Sequence, residues 1–225
     1  MQKRLNKLIK ILSIGFIFLL GYIKSPKKIL WTIILKNYLD ETGWYESRDK
    51  KKPLNKNKEA IPWFTYSSIY FLEKRIKKGM KIFEFGSGNS TLWFPNKGCF
   101  LNTFEHNLSW YNTLKDKLPP NVNYNYCPLE INGDYCKSIS RQNISFDIVI
   151  IDGRDRVNCI INSINYLNKE GVIIFDNSDK EVYKEGFKFL NENEFKRLQF
   201  QGHGPININS WETSIFYREK NCLGI

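Results

Sequence analysis

Residues 80–94 leave this chain few folds to choose from. Ile82 to Phe85 is an apolar run, Gly86-Ser87-Gly88 ends it, and Ser90 to Phe94 then suits a helix. An apolar run of that length, closed by glycines and followed by a helix, reads as strand, tight turn, helix. This is the opening unit of an α/β protein. Gly86 and Gly88 lack a Cβ, so the backbone there can take positive φ and let a ligand approach. The helix start just beyond offers free N–H groups and a partial positive charge. Glu84, near the strand end, can order the turn or accept from a ligand cation. A dinucleotide fingerprint would need a third glycine where Thr91 stands, which counts against an NAD site.

The same unit recurs along the chain. Phe100 to Phe104 reads as a second strand ending in Glu105-His106, 19 residues after Gly86. A carboxylate there can accept the ribose hydroxyls of a nucleotide. Ser109 to Leu118 is an expected helix, stopped by Pro119-Pro120. Val122 to Tyr126 is an expected third strand, and its Cys127-Pro128-Leu129-Glu130 turn is positioned as an adenine wall. Ile148 to Ile151 is continuously apolar, as a strand buried on both faces should be, and it ends in Asp152-Gly153-Arg154. Gly171 to Phe175 repeats the pattern and ends in Asp176-Asn177-Ser178-Asp179. Two neighbouring strands thus deliver acid and amide groups to one sheet edge, where open α/β sheets bind ligands. Segments 195–200 and 213–217 read as the last two strands. Gly202-His203-Gly204-Pro205 between them can project a titratable imidazole. Ahead of the first strand, Pro62 suits a first helical position, with a helix running to Lys78 and stopping at Gly79.

Charge is distributed unevenly. The net charge is +11, yet residues 1–58 carry 14 Lys/Arg and 4 Asp/Glu, against 20 and 19 in residues 59–225. A nearly neutral globular part excludes a basic nucleic-acid-binding domain. The positive end could instead meet an anionic membrane surface. Within it, Ile11 to Ile23 is 13 residues long, shorter than the roughly 20 needed for a full span. An uncleaved anchor or interfacial hairpin, a helix packed on the domain or a partner, and a cleaved leader all fit it. The expected organisation is an anchor-like helical segment over 1–38, a polar linker over 39–60 and an enzyme-like domain over 61–225. Five cysteines with no Cys-x-x-Cys point to reduced thiols in a cytosol-like compartment.

Glu84-Phe85-Gly86-Ser87-Gly88, Glu105, Asp152-Gly153-Arg154 and Asp176-Asn177, in this order, resemble the class I S-adenosylmethionine (SAM)-dependent methyltransferases over about residues 59–218. Pro62 to Tyr66, Ser90 to Trp93, Asp176 to Asp179, and Gly204-Pro205 through Trp211 to Ser214 carry a narrower likeness. It is to a bacterial-type methyltransferase-like group associated with glycan and polysaccharide loci. The resemblance implies a Rossmann-like three-layer fold with a seven-stranded, mostly parallel sheet whose last strand is antiparallel. It implies SAM held by Tyr66, Glu84, Gly86, Ser87, Gly88, Asn89, Ser90, Glu105, His106 and Asp152. It implies methylation, O-directed, of a small molecule or glycan near a membrane. Asp152 or His203 is the candidate base, and Arg154 and Arg156 lie within reach of the same edge. A catalytically silent SAM-binding scaffold and an NAD-dependent oxidoreductase are the alternatives. Asp152, Asp176 and Asn177 also match in order the metal ligands of catechol-type O-methyltransferases, and hard oxygen donors suit Mg²⁺. Those enzymes place a lysine three residues after the first aspartate; here Asp155 stands there.

Overall fold

The computed structural model describes residues 37–225. Residues 43–225 form one compact unit, and residues 37–42, which are helical, lie outside it. The anchor-like segment expected over 1–38 therefore lies, but for its last two residues, outside the described residues. Among the described residues no helix is long and apolar enough to cross a membrane.

Seven strands make one sheet: β1 (Lys81–Phe85), β2 (Phe100–Glu105), β3 (Val122–Tyr126), β4 (Phe146–Ile151), β5 (Leu167–Asp176), β6 (Lys196–Gly202) and β7 (Trp211–Tyr217). Their spatial order is β3-β2-β1-β4-β5-β7-β6. The first five are parallel, and β7 runs antiparallel to both β5 and β6. This is the expected Rossmann-like three-layer α/β architecture with one antiparallel strand at the end. The chain reverses direction across the sheet between β1 and β4, which opens a crevice at the strand C-termini.

The helices of the compact unit are α1 (Trp44–Lys50), α2 (Tyr66–Glu73), α3 (Ser90–Asn96), α4 (Leu108–Leu114), α5 (Asp134–Lys137), α6 (Arg156–Ser163) and α7 (Lys184–Glu192). Two apolar clusters cover the two sheet faces. One packs Phe83, Phe85, Phe146, Ile151 and Phe175 under Ile160 and Leu190; the other packs Ile82, Ile148, Ile150 and Ile174 under Phe64, Leu72 and Phe94. Alternate residues of β1 and β4 thus point to opposite layers, as the period of two requires.

Most helices are shorter than the sequence reading. The helix expected over 62–78 is reduced to α2, because Thr65 is tied to the far strands before the helix begins. Its N–H donates to Thr213 Oγ1 at 3.1 Å and its hydroxyl donates to the Phe200 carbonyl at 3.1 Å. Within the stretch expected to be a polar linker, α1 is packed on the unit: Trp44 Nε1 donates to the Asn207 carbonyl at 2.9 Å. Asn89 Nδ2 likewise donates to the Pro53 carbonyl. Residues 44–60 therefore form part of the folded unit.

Candidate functional site

A cleft of about 400 Å³ opens at the C-terminal ends of β1, β2 and β4. Gly86, Ser87, Glu105, Trp110, Asp152 and Arg154 are among its lining residues. The floor is backbone. Gly86 sits at φ 94, in the left-handed region that a side chain resists. A Cβ on it would lie 3.0 Å from Gly153 Cα, and a Cβ on Gly153 would lie 2.0 Å from the Tyr135 hydroxyl. The two glycines let the β1 and β4 ends touch, with the buried Tyr135 ring wedged beneath. Positive φ was expected at both Gly86 and Gly88, but Gly88 lacks it and a Cβ there would meet open space. Only Gly86 is constrained by the local fold.

Glu84 orders the turn and does not line this cleft. It is buried, and its carboxylate accepts from Ser90 Oγ and, at 2.7 Å, from Thr91 Oγ1. Thr91 Oγ1 also accepts from the Gly88 N–H at 2.9 Å. The threonine at the third glycine position thus cross-links turn, helix start and strand, a role its sequence position did not disclose. Burial pushes the Glu84 carboxyl up to about 8, against the pull of the Ser90 and Thr91 hydroxyls.

Glu105, 3% exposed, presents its carboxylate to the cleft. Ser87 Oγ donates to Oε2 at 2.7 Å and the Asn107 N–H to Oε1 at 2.7 Å. His106 Nδ1 lies 3.1 Å from Oε1. Oε2, with Ser87 as its one donor, retains a lone pair for a ligand hydroxyl. The half-exposed Trp110 indole also lines the cleft, and its Nε1 donates to the Ser87 carbonyl at 2.9 Å. The expected wall, Cys127 to Glu130, does not line the cleft. An exposed aromatic one turn after the Glu105 strand was the available signal for Trp110.

Asp152 closes the far end. Arg156 Nη2 bonds its Oδ1 at 3.0 Å and its carbonyl at 3.1 Å. Arg156 Nε also donates to the Gly153 carbonyl at 3.0 Å, and Nη1 donates to the Asp176 carbonyl. The guanidinium, 7% exposed, staples the ends of β4 and β5 together. Burial pushes the Asp152 carboxyl up, and Arg156 pulls it back. Arg154 lines the same cleft but is exposed.

Asp152 also lines a second cleft, of about 330 Å³, with Trp63, Asp176, Asn177, Lys180, Asn207 and Trp211. Asp176 is 3% exposed; Oδ1 accepts from Trp211 Nε1 at 2.9 Å and Thr213 Oγ1 at 2.7 Å. Burial, then the Asp152 charge, pushes its carboxyl up to about 8. The polar run after β5 and the polar run opening β7 are bonded to each other, with Asp176 facing Thr213 in the ladder. Ser178 Oγ likewise donates to Glu212 Oε1 at 2.7 Å.

The remaining candidates fall elsewhere. His203 is exposed and lines neither cleft; its carbonyl accepts from the Tyr66 N–H at 2.8 Å. The Tyr66 ring belongs to the apolar cluster under the sheet. Asn89 holds Pro53, and Ser90 holds Glu84. The metal triad does not fit a cation well. Asp152, Asp176 and Asn177 share a cleft, but the buried Arg156 already supplies positive charge to Asp152. Asp176 Oδ1 is already taken by two donors, Trp211 Nε1 and Thr213 Oγ1. Among the described residues no cluster of three acid, His or Cys side chains suits a metal.

No protein-family model matches the sequence, and no curated relative does. Solved structures do. A methyltransferase-like protein from Silicibacter pomeroyi aligns with a TM-score of 0.51 and 17% identity over 75% of this chain and 91% of its own. A precorrin-6y C5,15-methyltransferase from Geobacter metallireducens aligns at 0.52 and 14% identity over 76% and 96%. A precorrin-8w decarboxylase from Methanobacterium thermoautotrophicum aligns at 0.53 and 14% identity over 75% and 97%. The chain therefore has the Rossmann-like fold seen in SAM-dependent methyltransferases.

Proposed function

We propose that this protein is a SAM-dependent methyltransferase acting on an oxygen of a small molecule or glycan. The observation that carries the reading is the meeting of two clefts at Asp152. One is floored by the Gly86 turn and carries Glu105 and Trp110; the other is walled by Trp63 and Trp211. When bound, SAM supplies a methyl group already activated on a sulfonium. The chain then has to hold donor and acceptor in line and take up a proton. Glu105 is suited to accept hydrogen bonds from ribose hydroxyls. Trp110 offers an aromatic face on which a base can stack. Asp152, reachable from both clefts, is the group placed to accept the acceptor's proton. A carboxyl raised above its ordinary value is a better base for that step than a free one. No step runs through a metal.

The glycan acceptor rests on the likeness at Pro62 to Tyr66 and Trp211 to Ser214. Residues 1–38, basic and apolar, are proposed to hold the protein at an anionic membrane surface, with the catalytic unit in a reducing, cytosol-like compartment. The test of the activity is to incubate the full chain with SAM and glycan or small-molecule pools, following S-adenosylhomocysteine by mass spectrometry. Acceptor-dependent formation of S-adenosylhomocysteine, with one methyl gained by the acceptor, is expected. Binding of SAM without turnover on any pool would leave a silent SAM-binding protein.

A further inference from the structure

The cleft beside Asp152 does not end at Trp63 and Trp211. It continues into an outer cleft of about 890 Å³ that shares Trp63, Asn177, Lys180, Asn207 and Trp211 with it. The outer part adds Arg48 and Lys51, and no carboxylate lines it. The acids, Asp152 and Asp176, are confined to the inner end. Arg48, Lys51 and Lys180 are exposed, and among the described residues none of them is in an ion pair. Three cations around one concavity, with no carboxylate in its lining, set up a positive potential that attracts an anion.

The mouth is also built, rather than being a loose collection of side chains. Trp44, in the turn before Arg48, is bonded to the Asn207 carbonyl, and the Arg48 guanidinium lies 5.0 Å from the Trp44 ring centroid. Lys51 ends α1 at φ 52, where glycine or asparagine is the ordinary residue. Asn177 at φ 53 and Ile206 at φ 70 line the same cleft. A β-branched residue at positive φ is an outlier, and such strain persists where surrounding structure enforces it, often at ligand sites.

We propose that the outer cleft binds an anionic group of the methyl acceptor, a phosphate or a carboxylate. Arg48, Lys51 and Lys180 would grip it while Trp63 packs on a ring face of the acceptor and a hydroxyl reaches Asp152. This deepens the methyltransferase reading and rests on it for the identity of the inner step. Guanidinium and ammonium donors bind both anions, Arg in a two-pronged manner and Lys as a point charge.

The test uses the full chain saturated with S-adenosylhomocysteine and titrated calorimetrically with three probes: a glucose phosphate, glucuronic acid and neutral methyl glucoside. At least one anionic probe is expected to bind about tenfold or more tightly than the neutral one, and which one does so separates phosphate from carboxylate recognition. The Arg48→Gln/Lys51→Gln variant should lose about tenfold or more in that affinity, the size expected for charge-assisted hydrogen bonds. Both side chains are exposed, so this variant should fold, with only the Arg48 contact to the Trp44 ring lost, and its melting temperature checks that. Equal binding of the neutral probe, full affinity in the double variant, or no binding of either anionic probe at millimolar concentration would each overturn the proposal. The S-adenosylhomocysteine titration is read separately. Its failure alongside preferential anion binding would remove the methyltransferase reading and leave the anion cleft standing.

Discussion

The cleft at the Gly86 turn and the cleft walled by Trp63 and Trp211 share Asp152 but are assembled from different kinds of sequence. The first comes from short local pieces: the Gly86 turn, Glu105 with Asn107 and Trp110, and Asp152-Gly153-Arg154. Each piece sits at the end of its own strand, so parallel pairing alone brings the pieces together. The second takes Trp63 from before α2, Asp176 to Lys180 after β5, and Asn207 and Trp211 from the last connection. Its outer extension draws in Arg48 and Lys51 from α1 and its cap. Strand-end backbone, Glu105 and Trp110 shape the first cleft; Trp63, Trp211 and Asp176 shape the second, and its outer extension adds Arg48 and Lys51. A fold can fix a site for a common ligand through its strand ends, while the site for a particular acceptor depends on the added segments.

The sharpest way to break this comparison is at the shared residue. Asp152→Asn keeps the shape and a hydrogen bond from Arg156 but removes the base. Methyl transfer should fall about 10² to 10⁴-fold, with S-adenosylhomocysteine affinity changed far less. Equal losses of binding and turnover would mean that Asp152 belongs to the cofactor cleft alone.

Glu84 tests the turn that supports the first cleft. In the folded chain its carboxyl is raised from 4.5 to about 8. The folded state therefore keeps a proton that the unfolded chain releases. The stability this group contributes is fully present below about pH 4.5 and is lost as the pH rises through about 8. Asp176, raised to about 8, adds a loss of the same sign. Melting temperatures followed from pH 5 to 9 should fall as the pH rises towards about 8 and then level off. Glu84→Gln should flatten part of the slope. An unchanged slope would show that Glu84 is ionised in the fold.

Gly153→Ala probes the contact between the β1 and β4 ends. Its Cβ would meet the Tyr135 hydroxyl at 2.0 Å, so we expect destabilisation of about 1–3 kcal/mol, typical of overpacking, and weakened cofactor binding. Tyr135→Phe in the same chain removes the clashing oxygen and should restore part of both. A smaller effect belongs to the second cleft. Trp211→Phe deletes one bond to Asp176 and should cost about 1 kcal/mol of stability. It should raise the acceptor KM and leave S-adenosylhomocysteine binding alone.

Much of the fold could be read directly from residues. The apolar runs at 82–85 and 148–151 marked central strands, and the acids closing the strands marked the edge where both clefts open. The helix ends were less legible, because Thr65 is set by bonds to Thr213 and Phe200, residues more than a hundred positions away. Thr91 read as a missing glycine, while its hydroxyl does work no glycine could. His203 looked available because glycines flank it, yet its loop turns the imidazole to solvent and uses its carbonyl to anchor α2. Arg156 read only as lying within reach of the same edge, not as a staple between two strands. Nothing near it in sequence shows that one guanidinium joins the ends of β4 and β5, and that contact is what displaces the metal reading. The Lys-rich stretch around α1 read as linker because its charges suggested solvent; Trp44 and Trp63 were the sign that it packs.

The central claim is that the cleft at the Gly86 turn holds SAM, and calorimetry of the full chain with S-adenosylhomocysteine tests it most directly. The parent should bind, NAD should not, and Glu105→Ala should weaken binding by about 2–3 kcal/mol through loss of charge-assisted hydrogen bonds. A folded parent that ignores S-adenosylhomocysteine, or a Glu105→Ala chain that binds it with undiminished affinity, would contradict the account.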